Sequence, residues 1–177
     1  SDTRMFENCT PILYGSSKVA SYHKKLINAT DFPFINIRTV EQAEASKFNI
    51  LNIIQDEVKI DIGQPTEIGG RLAAMSLDYA CHDLMNGKLD ALVTNPINKK
   101  NIQSEKFNFP GHTEYLTNKF GVEESLMIMT CHDLHIGIMT NHLSLSQVPK
   151  VLNRELILRK LQVMDSSLKR DFGIRMP

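Results

Sequence analysis

Side chains that suit the binding of a small anion are concentrated in residues 91–114. The apolar run Ala91-Leu92-Val93 directly precedes a turn, and this pattern predicts a short buried strand. Thr94, Asn98 and Lys99 follow the run and offer a hydroxyl, an amide and an ammonium group. Because ligands of open α/β sheets bind beyond the carboxyl ends of the strands, we expect these three side chains to contact a phosphate or a cofactor.

His112 and Thr113 form a second group of this kind. Pro110-Gly111 predicts a turn, and the helical spacing of residues 113–120 places His112 and Thr113 at the amino terminus of a helix. Free backbone N–H groups and the positive end of the helix dipole favour an anion there, so the pattern predicts a phosphate or carboxylate pocket. The alternative is that Thr113 only caps the helix and His112 is an exposed turn residue.

His142 is a candidate metal ligand. It follows an apolar run, residues 136–139, and so is expected beyond the end of a strand. A neutral imidazole binds divalent ions well, and catalytic zinc commonly has three protein ligands and one open position. The sequence offers no clear set of partners for His142, so a hydrogen-bonded structural histidine is the alternative.

Three motifs occur in order along the chain and resemble one known family. They are Val93-Thr94-Asn95-Pro96-Ile97-Asn98-Lys99, Phe109-Pro110-Gly111-His112-Thr113-Glu114 and Thr140-Asn141-His142-Leu143. From about residue 10 to its end, the chain is similar to the bacterial 4-hydroxythreonine-4-phosphate dehydrogenases of pyridoxal phosphate biosynthesis. The resemblance implies that His112 and Thr113 bind the phosphorylated substrate. It also implies that His142 is one of three metal-binding histidines, in a site that two subunits of a homodimer share.

The same resemblance implies a reaction and a fold. The reaction is NAD-dependent oxidation of the 3-hydroxyl of 4-phosphooxy-L-threonine, with decarboxylation to 3-amino-2-oxopropyl phosphate and with a divalent metal such as Zn, Mg or Co. The fold is the three-layer α/β/α architecture of isocitrate and isopropylmalate dehydrogenases. This architecture holds NAD without a G-x-G-x-x-G fingerprint, and the sequence has none.

The resemblance further implies that residues 1–177 are the central part of one two-domain α/β enzyme. The amino-terminal segment and the carboxyl-terminal third of such an enzyme, which includes the other two metal-binding histidines, have no counterpart here. We therefore expect the 177-residue fragment to be inactive by itself, although its full-length parent is an enzyme.

The sequence leaves other functions open. Asn95, Asn141 and Ser144 differ from the residues usual in the family, which is compatible with a dehydrogenase of threonate or erythronate 4-phosphate. A phosphate acyltransferase of similar fold would also use Lys99 and Lys100, but it would need no histidine-bound metal. A phosphate-binding module without catalysis is the non-enzymatic alternative.

Composition limits the class of protein. The chain has 177 residues, 42% of them hydrophobic, enough for one substantial core, and it contains no apolar stretch long enough to span a membrane. Twenty basic residues balance twenty acidic ones, which argues against nucleic acid or a membrane surface as the main partner. Its three cysteines are far apart and no signal peptide pattern is present, as expected for reduced thiols in the cytoplasm.

The order of predicted elements begins with a β-α pattern. Strands are predicted at residues 11–14, 34–37 and 48–54, with a capped helix after the first and a short helix at residues 40–46. A long helix is predicted from Glu67 to the Asn86-Gly87 terminator, a β-hairpin from residues 126–129 and 136–140, and an amphipathic helix over residues 154–172. No linker composition occurs, so no domain boundary is predicted within the chain.

Overall fold

The computed structural model describes residues 4–29, 32–54 and 58–177, and it divides the chain into two compact units. These are Ser1–Gly111 and His112–Pro177, here called the amino-terminal unit and the carboxyl-terminal unit. The division falls after Gly111, within the predicted Pro110-Gly111 turn. The expectation that no linker separates domains within the chain stays a prediction.

The amino-terminal unit is built on a three-stranded parallel sheet. Its strands are β1 (Ile12–Gly15), β2 (Ile35–Ile37) and β3 (Asn49–Asn52), in the order β1-β3-β2. The central strand β3 is almost completely buried, as expected of a strand covered on both faces. Helix α1 (Met5–Asn8) precedes β1, and α2 (Ser17–Leu26) connects β1 to β2. The hydroxyl of Ser16 accepts the N–H of Val19 and caps α2, as the sequence predicts.

A buried asparagine shapes the connection between β2 and β3. The Asn49 side chain is fully buried, accepts the Glu44 N–H at 3.0 Å and donates to the Lys47 carbonyl at 3.0 Å. These bonds hold residues 44–47 in a loop against the start of β3. The helix predicted at residues 40–46 is therefore only a 3-10 turn, Val40–Gln42, because the chain must leave helical geometry to satisfy Asn49.

Helix α3 (Glu67–Met85) covers the sheet and begins and ends where local signals predict. The hydroxyl of Thr66 accepts the Gly69 N–H at 3.1 Å, and Gly87 has a φ of +70° after the last turn. Tyr14 of β1 donates its hydroxyl to Asp83 of α3 at 2.7 Å, which links sheet and helix. Burial and this hydrogen bond raise the pKa of Tyr14, so it remains a neutral donor.

The carboxyl-terminal unit combines helices with a β-hairpin. Helix α4 (His112–Lys119) opens it, and the antiparallel strands β4 (Met127–Cys131) and β5 (Leu134–Ile138) form the predicted hairpin. Helix α5 (Val148–Val151) and the long α6 (Arg154–Arg170) follow. One face of the hairpin lies on α6: a Cβ added to Gly137 would sit 3.0 Å from the Met164 sulfur, and the His135 and Phe172 rings are 4.6 Å apart.

Lys160 anchors α6 to the chain before β4. Its side chain is nearly buried, and its Nζ lies 2.5 Å from both the Ser125 carbonyl oxygen and Glu124 Oε1. The hydrogen bond from Lys160 lowers the pKa of Glu124 below its usual value of 4.5. Because the folded-state pKa is depressed, this pair stabilises the fold fully above about pH 4.5 and is lost as the pH falls through the lowered pKa.

Lys160→Met is therefore expected to lower the free energy of unfolding by about 2 kcal/mol at neutral pH, because Glu124 loses its closer partner and keeps only Arg159 at 3.5 Å, while the Ser125 carbonyl loses its donor. The difference from wild type should shrink as the pH falls from about 4.5 through the lowered pKa of Glu124, where this carboxyl becomes neutral in the fold. Urea denaturation at both pH values measures this. Lys169→Met is the control, since its pair with Asp165 is exposed and should cost less than about 0.5 kcal/mol. Equal losses in the two variants would contradict the prediction.

Candidate functional site

The first turn of α4 carries the predicted anion-binding pair. The helix begins at His112, so Thr113 lies within its first turn rather than before it, and Tyr115 is buried beneath. Both His112 and Thr113 are half-buried. Burial lowers the pKa of His112, so near neutral pH its imidazole is uncharged and offers one N–H donor. First-turn N–H groups of a helix have no partner within the helix, so this helix end and the two side chains carry hydrogen-bond donors suited to an anion.

His142 lies beside this helix start. It follows β5 in an exposed loop with a φ of +56°, a left-handed conformation that histidine, asparagine and aspartate adopt more readily than most residues. Its Nε2 lies 3.5 Å from Oε1 of Glu114, which is in the first turn of α4. The structure thus brings His142 of the third motif to Glu114 of the second, although 27 residues lie between them in sequence.

Glu114 is the member of this site that residue-by-residue reasoning did not single out. It is the last residue of the Pro-Gly-His-Thr-Glu motif, and an acidic side chain in a first turn is easily explained by the helix dipole alone. The signal that could have found it is its place in the Pro-Gly-His-Thr-Glu motif, beside the two residues already singled out. The 3.5 Å separation exceeds that of a tight charge-assisted hydrogen bond, and the His142 side chain is 58% exposed.

The three site residues predicted in the amino-terminal unit, Thr94, Asn98 and Lys99, lie in a segment without regular secondary structure. No strand forms at residues 91–93 within the described chain, and Val93 is 91% exposed, so the predicted buried strand is wrong. Three apolar residues make a strand only if a neighbouring strand pairs with their N–H and C=O groups, and sequence pattern cannot supply that partner. Thr94 and Lys99 are exposed, and their contacts with a phosphate or cofactor remain predictions.

The loop that follows is nevertheless well organised. Asn98 accepts the N–H groups of Lys100 and Asn101 at 3.0 and 3.2 Å, so its side-chain oxygen stabilises a local turn. Gln103 donates to the Lys99 and Phe109 carbonyls, at 3.1 and 2.8 Å. These bonds give Lys99 a fixed backbone position. Asn98 therefore stabilises the loop, and its contact with a phosphate or cofactor remains a prediction.

Metal ligands are incomplete in the part of the chain that the structure describes. Outside the gaps at residues 1–3, 30–31 and 55–57, no three His, Cys, Asp or Glu side chains are close enough together to hold a metal ion. His142 and Glu114 supply one imidazole and one carboxylate. Within the same described residues, no helix combines the length and the apolar character needed to cross a bilayer.

Solved structures identify the class of fold. A 4-hydroxythreonine-4-phosphate dehydrogenase from Burkholderia phymatum superposes with a TM-score of 0.86 at 22% identity, over 99% of this chain and 53% of that one. This match confirms the predicted α/β class with isocitrate dehydrogenase-like architecture. The family described as pyridoxal phosphate biosynthetic protein PdxA matches residues 7–177. The chain belongs to that family.

Two curated relatives show the range within the family. A 4-hydroxythreonine-4-phosphate dehydrogenase of Bacteroides thetaiotaomicron is 40% identical over 179 aligned residues, which cover 100% of this chain and 49% of the relative. A Clostridium botulinum relative with the provisional name D-threonate 4-phosphate dehydrogenase is 28% identical over 165 residues, covering 89% of this chain and 48% of its own. The chain spans about half the length of the curated relatives it matches.

Proposed function

We propose that this chain supplies the substrate-binding helix and one metal ligand of a dehydrogenase of pyridoxal phosphate biosynthesis. The proposed reaction is the NAD-dependent oxidation of 4-phosphooxy-L-threonine, with loss of carbon dioxide, to 3-amino-2-oxopropyl phosphate. Membership of the PdxA family and the 40% identical Bacteroides relative support it. The single observation that carries it is the approach of His142 to Glu114 in the first turn of α4, 3.5 Å between Nε2 and Oε1.

The phosphate group of the substrate is assigned to the amino terminus of α4. Thr113 donates its hydroxyl, His112 donates an N–H as a neutral imidazole, and the free backbone N–H groups complete the set. A neutral donor at position 112 binds the phosphate dianion without placing a full cation in a half-buried setting. Thr94, Asn98 and Lys99 are proposed as further phosphate or cofactor contacts from the amino-terminal unit.

His142 is proposed as a ligand of a divalent metal. The donor types fit: an exposed imidazole with an open Nε2 next to a carboxylate suits Zn²⁺ or Co²⁺, and the remaining ligands are assigned to polypeptide outside these residues. When bound, the metal supplies stabilisation of negative charge on the substrate oxygen, and NAD accepts the hydride. His142 holds its position through the left-handed loop after β5, and Glu114 keeps the site electrostatically favourable to a cation.

Several properties of the whole protein belong to this proposal. The whole protein is proposed to be a two-domain enzyme, and these residues are its central part. It is also proposed to be cytoplasmic and to form a homodimer whose subunits share the site. We also expect residues 1–177 alone to form no NADH, because part of the metal and substrate contacts is assigned elsewhere.

A D-threonate 4-phosphate dehydrogenase is the second candidate, supported by the Clostridium relative. The two substrates differ by an ammonium group in place of a hydroxyl, and both carry the phosphate that α4 would bind. Metal analysis distinguishes a phosphate acyltransferase from these dehydrogenases, since the acyltransferase needs acyl-CoA and no histidine-bound metal. If the protein is a binding module without catalysis, it should bind the phosphorylated ligand and show no turnover.

NADH formation by a protein of the relatives' full length that carries these residues tests the proposal. The substrates to compare are 4-phosphooxy-L-threonine and the 4-phosphates of threonate and erythronate, each with and without a chelator. Metal-dependent NADH formation that is fastest with 4-phosphooxy-L-threonine is the expected result. Preference for threonate 4-phosphate would establish the second candidate. Absence of NADH with every substrate, despite bound metal, would overturn both.

His112→Leu is expected to weaken binding of the phosphorylated substrate about 10-fold, because leucine has no N–H to donate and one hydrogen bond to a charged group is lost. Isothermal titration with a non-reactive phosphate ester measures the Kd directly. His23→Leu is the matched control, since His23 lies in the last turn of α2 and has no proposed role, and it should leave the Kd unchanged. An unchanged Kd in His112→Leu would remove this residue from the phosphate site.

A further inference from the structure

A loop without regular secondary structure connects the first two sequence motifs. This connecting loop, residues 98–109, begins within the first candidate phosphate-binding segment and leads into the Pro110-Gly111 turn. Its middle is anchored in the core, because Ile102 and Phe107 are each 1% exposed. Ser104 and Phe107 exchange backbone hydrogen bonds of 3.0 and 3.1 Å in a short turn. The middle of the loop is therefore fixed on the amino-terminal unit.

The peptide group that follows Lys99 is hydrogen-bonded at both of its polar atoms. Its carbonyl oxygen, on Lys99, accepts from the Gln103 side-chain amide at 3.1 Å. Its N–H, on Lys100, donates to the side-chain oxygen of Asn98 at 3.0 Å. Because a peptide group is planar, bonds to its two opposite edges oppose rotation of the whole plane. The backbone dihedral ψ of Lys99 is therefore restrained by the two flanking side chains.

The same amide group of Gln103 also holds the beginning of the second motif. It donates to the Phe109 carbonyl at 2.8 Å, since a side-chain amide carries two N–H donors. This carbonyl oxygen is the only hydrogen-bonding atom of the peptide group between Phe109 and Pro110, because proline has no N–H. One side chain thus joins the end of the first motif to the beginning of the second.

The effect of these bonds is on geometry more than on stability. Gln103 is exposed, so water competes for both of its carbonyl partners. Fixing a glutamine side chain also removes rotamer freedom, which offsets much of the stabilisation that its hydrogen bonds provide. Loss of the Gln103 amide should therefore leave the fold nearly as stable and release the backbone orientation of Lys99.

We propose that Gln103 is a positioning residue for the binding of a phosphate group by Lys99. A lysine ammonium is a point charge on a long flexible stem, so the orientation of its backbone decides which positions it reaches at low entropic cost. Lys99 is exposed and forms no ion pair with another residue that the structure describes. The inference rests on the proposed phosphate or cofactor contact of Lys99, and it assigns the residue that sets the geometry of that contact.

The test is Gln103→Leu in a protein of the relatives' full length that carries these residues. Leucine cannot donate to either carbonyl, so the peptide group after Lys99 loses one of its two restraints. Isothermal titrations with inorganic phosphate and with NAD measure the two Kd values. One of them should rise about 5-fold, because the ammonium must then be ordered at an entropic cost. The ligand affected shows whether Lys99 serves the substrate phosphate or the cofactor.

Gln162→Leu is the matched control. Gln162 is an exposed residue of α6 and has no proposed role. The same chemical change at this position should leave both Kd values unchanged. Urea denaturation should give about the same midpoint for wild type, Gln103→Leu and Gln162→Leu, which shows that each variant is folded.

A double-mutant cycle separates positioning from a general loss of structure. Lys99→Met should raise the affected Kd about 10-fold, because one hydrogen bond to a charged group is lost. Adding Gln103→Leu to Lys99→Met should raise it no further, since Gln103 acts through the Lys99 ammonium. If Gln103 supported the whole fold instead, the effects of the two substitutions on the Kd would multiply.

Unchanged Kd values in Gln103→Leu, or an effect that multiplies with that of Lys99→Met, would overturn the inference. If Lys99→Met weakened the binding of neither ligand, the inference would fall together with the proposed contact of Lys99. NADH formation by wild type tests the proposed reaction separately. The expected pattern of Kd values in a protein that forms no NADH would establish the role of Gln103 and overturn the reaction.

Discussion

His142→Asn is expected to lower kcat/KM for metal-dependent NADH formation about 1,000-fold in a full-length protein that carries these residues. Asparagine is chosen because it tolerates the φ of +56° at this position, so the loop after β5 keeps its conformation while the imidazole is removed. With one ligand missing, the metal should bind far more weakly, and charge on the substrate oxygen should lose its stabilisation. Bound metal per subunit and kcat/KM are the two measurements.

A matched control exists in the same unit. His132 is also a histidine with positive φ, +50°, in the turn between β4 and β5. His132→Asn makes the same chemical change in the same backbone conformation, and it should leave metal content and turnover unchanged. If His142→Asn retained its metal, or if both variants lost it equally, the assignment of His142 as a ligand would have to be abandoned.

Gly70→Ala is expected to lower the free energy of unfolding by about 3 kcal/mol and Tm by about 8 °C. A Cβ added at Gly70 would overlap the backbone carbonyl of Asn101, which cannot rotate away as a side chain can. The loop of residues 98–102 lies directly on α3 at this point, and Ile102 is buried. The extra methyl group must therefore displace either the helix or the loop. Thermal and urea denaturation measure the loss.

Gly69→Ala is the control, one residue earlier in the same helix. There the added Cβ would meet only the Thr66 hydroxyl at 3.1 Å and the end of the Asn101 side chain at 3.9 Å. Alanine also favours helix over glycine, so the change should lie within about 1 kcal/mol of wild type. Similar stability of the two variants would contradict the close approach of the Asn101 backbone to Gly70. The pair Gly69-Gly70 thus serves packing, with the close approach at Gly70.

Local signals predicted the helices well because their physical causes lie within a few residues. Thr66 and Asn153 accept the N–H three residues ahead and start α3 and α6. Gly87, Gly121 and Gly173 have positive φ values and end α3, α4 and α6. The amphipathic pattern of residues 154–172 agrees with α6 to within two residues at its end. None of these features depends on a distant partner.

The secondary-structure predictions were wrong where a partner distant in sequence determines the local conformation. Residues 91–93 have the composition of a buried strand, yet without a neighbouring strand they stay irregular and Val93 stays exposed. Residues 40–46 have helical spacing, yet the buried Asn49 draws residues 44–47 into a loop. In both places the outcome depends on hydrogen bonds that periodicity does not encode.

The sequence by itself determined most of the helices and strands, the α/β class, the family and the placement of His112 and Thr113 at a helix start, because caps, periodicity and ordered motifs are local. Only the tertiary structure decided that His142 lies beside Glu114 and that Gly70 touches the backbone of Asn101. These facts depend on contacts between residues far apart in the chain, and such contacts are set by packing of whole elements rather than by any local pattern.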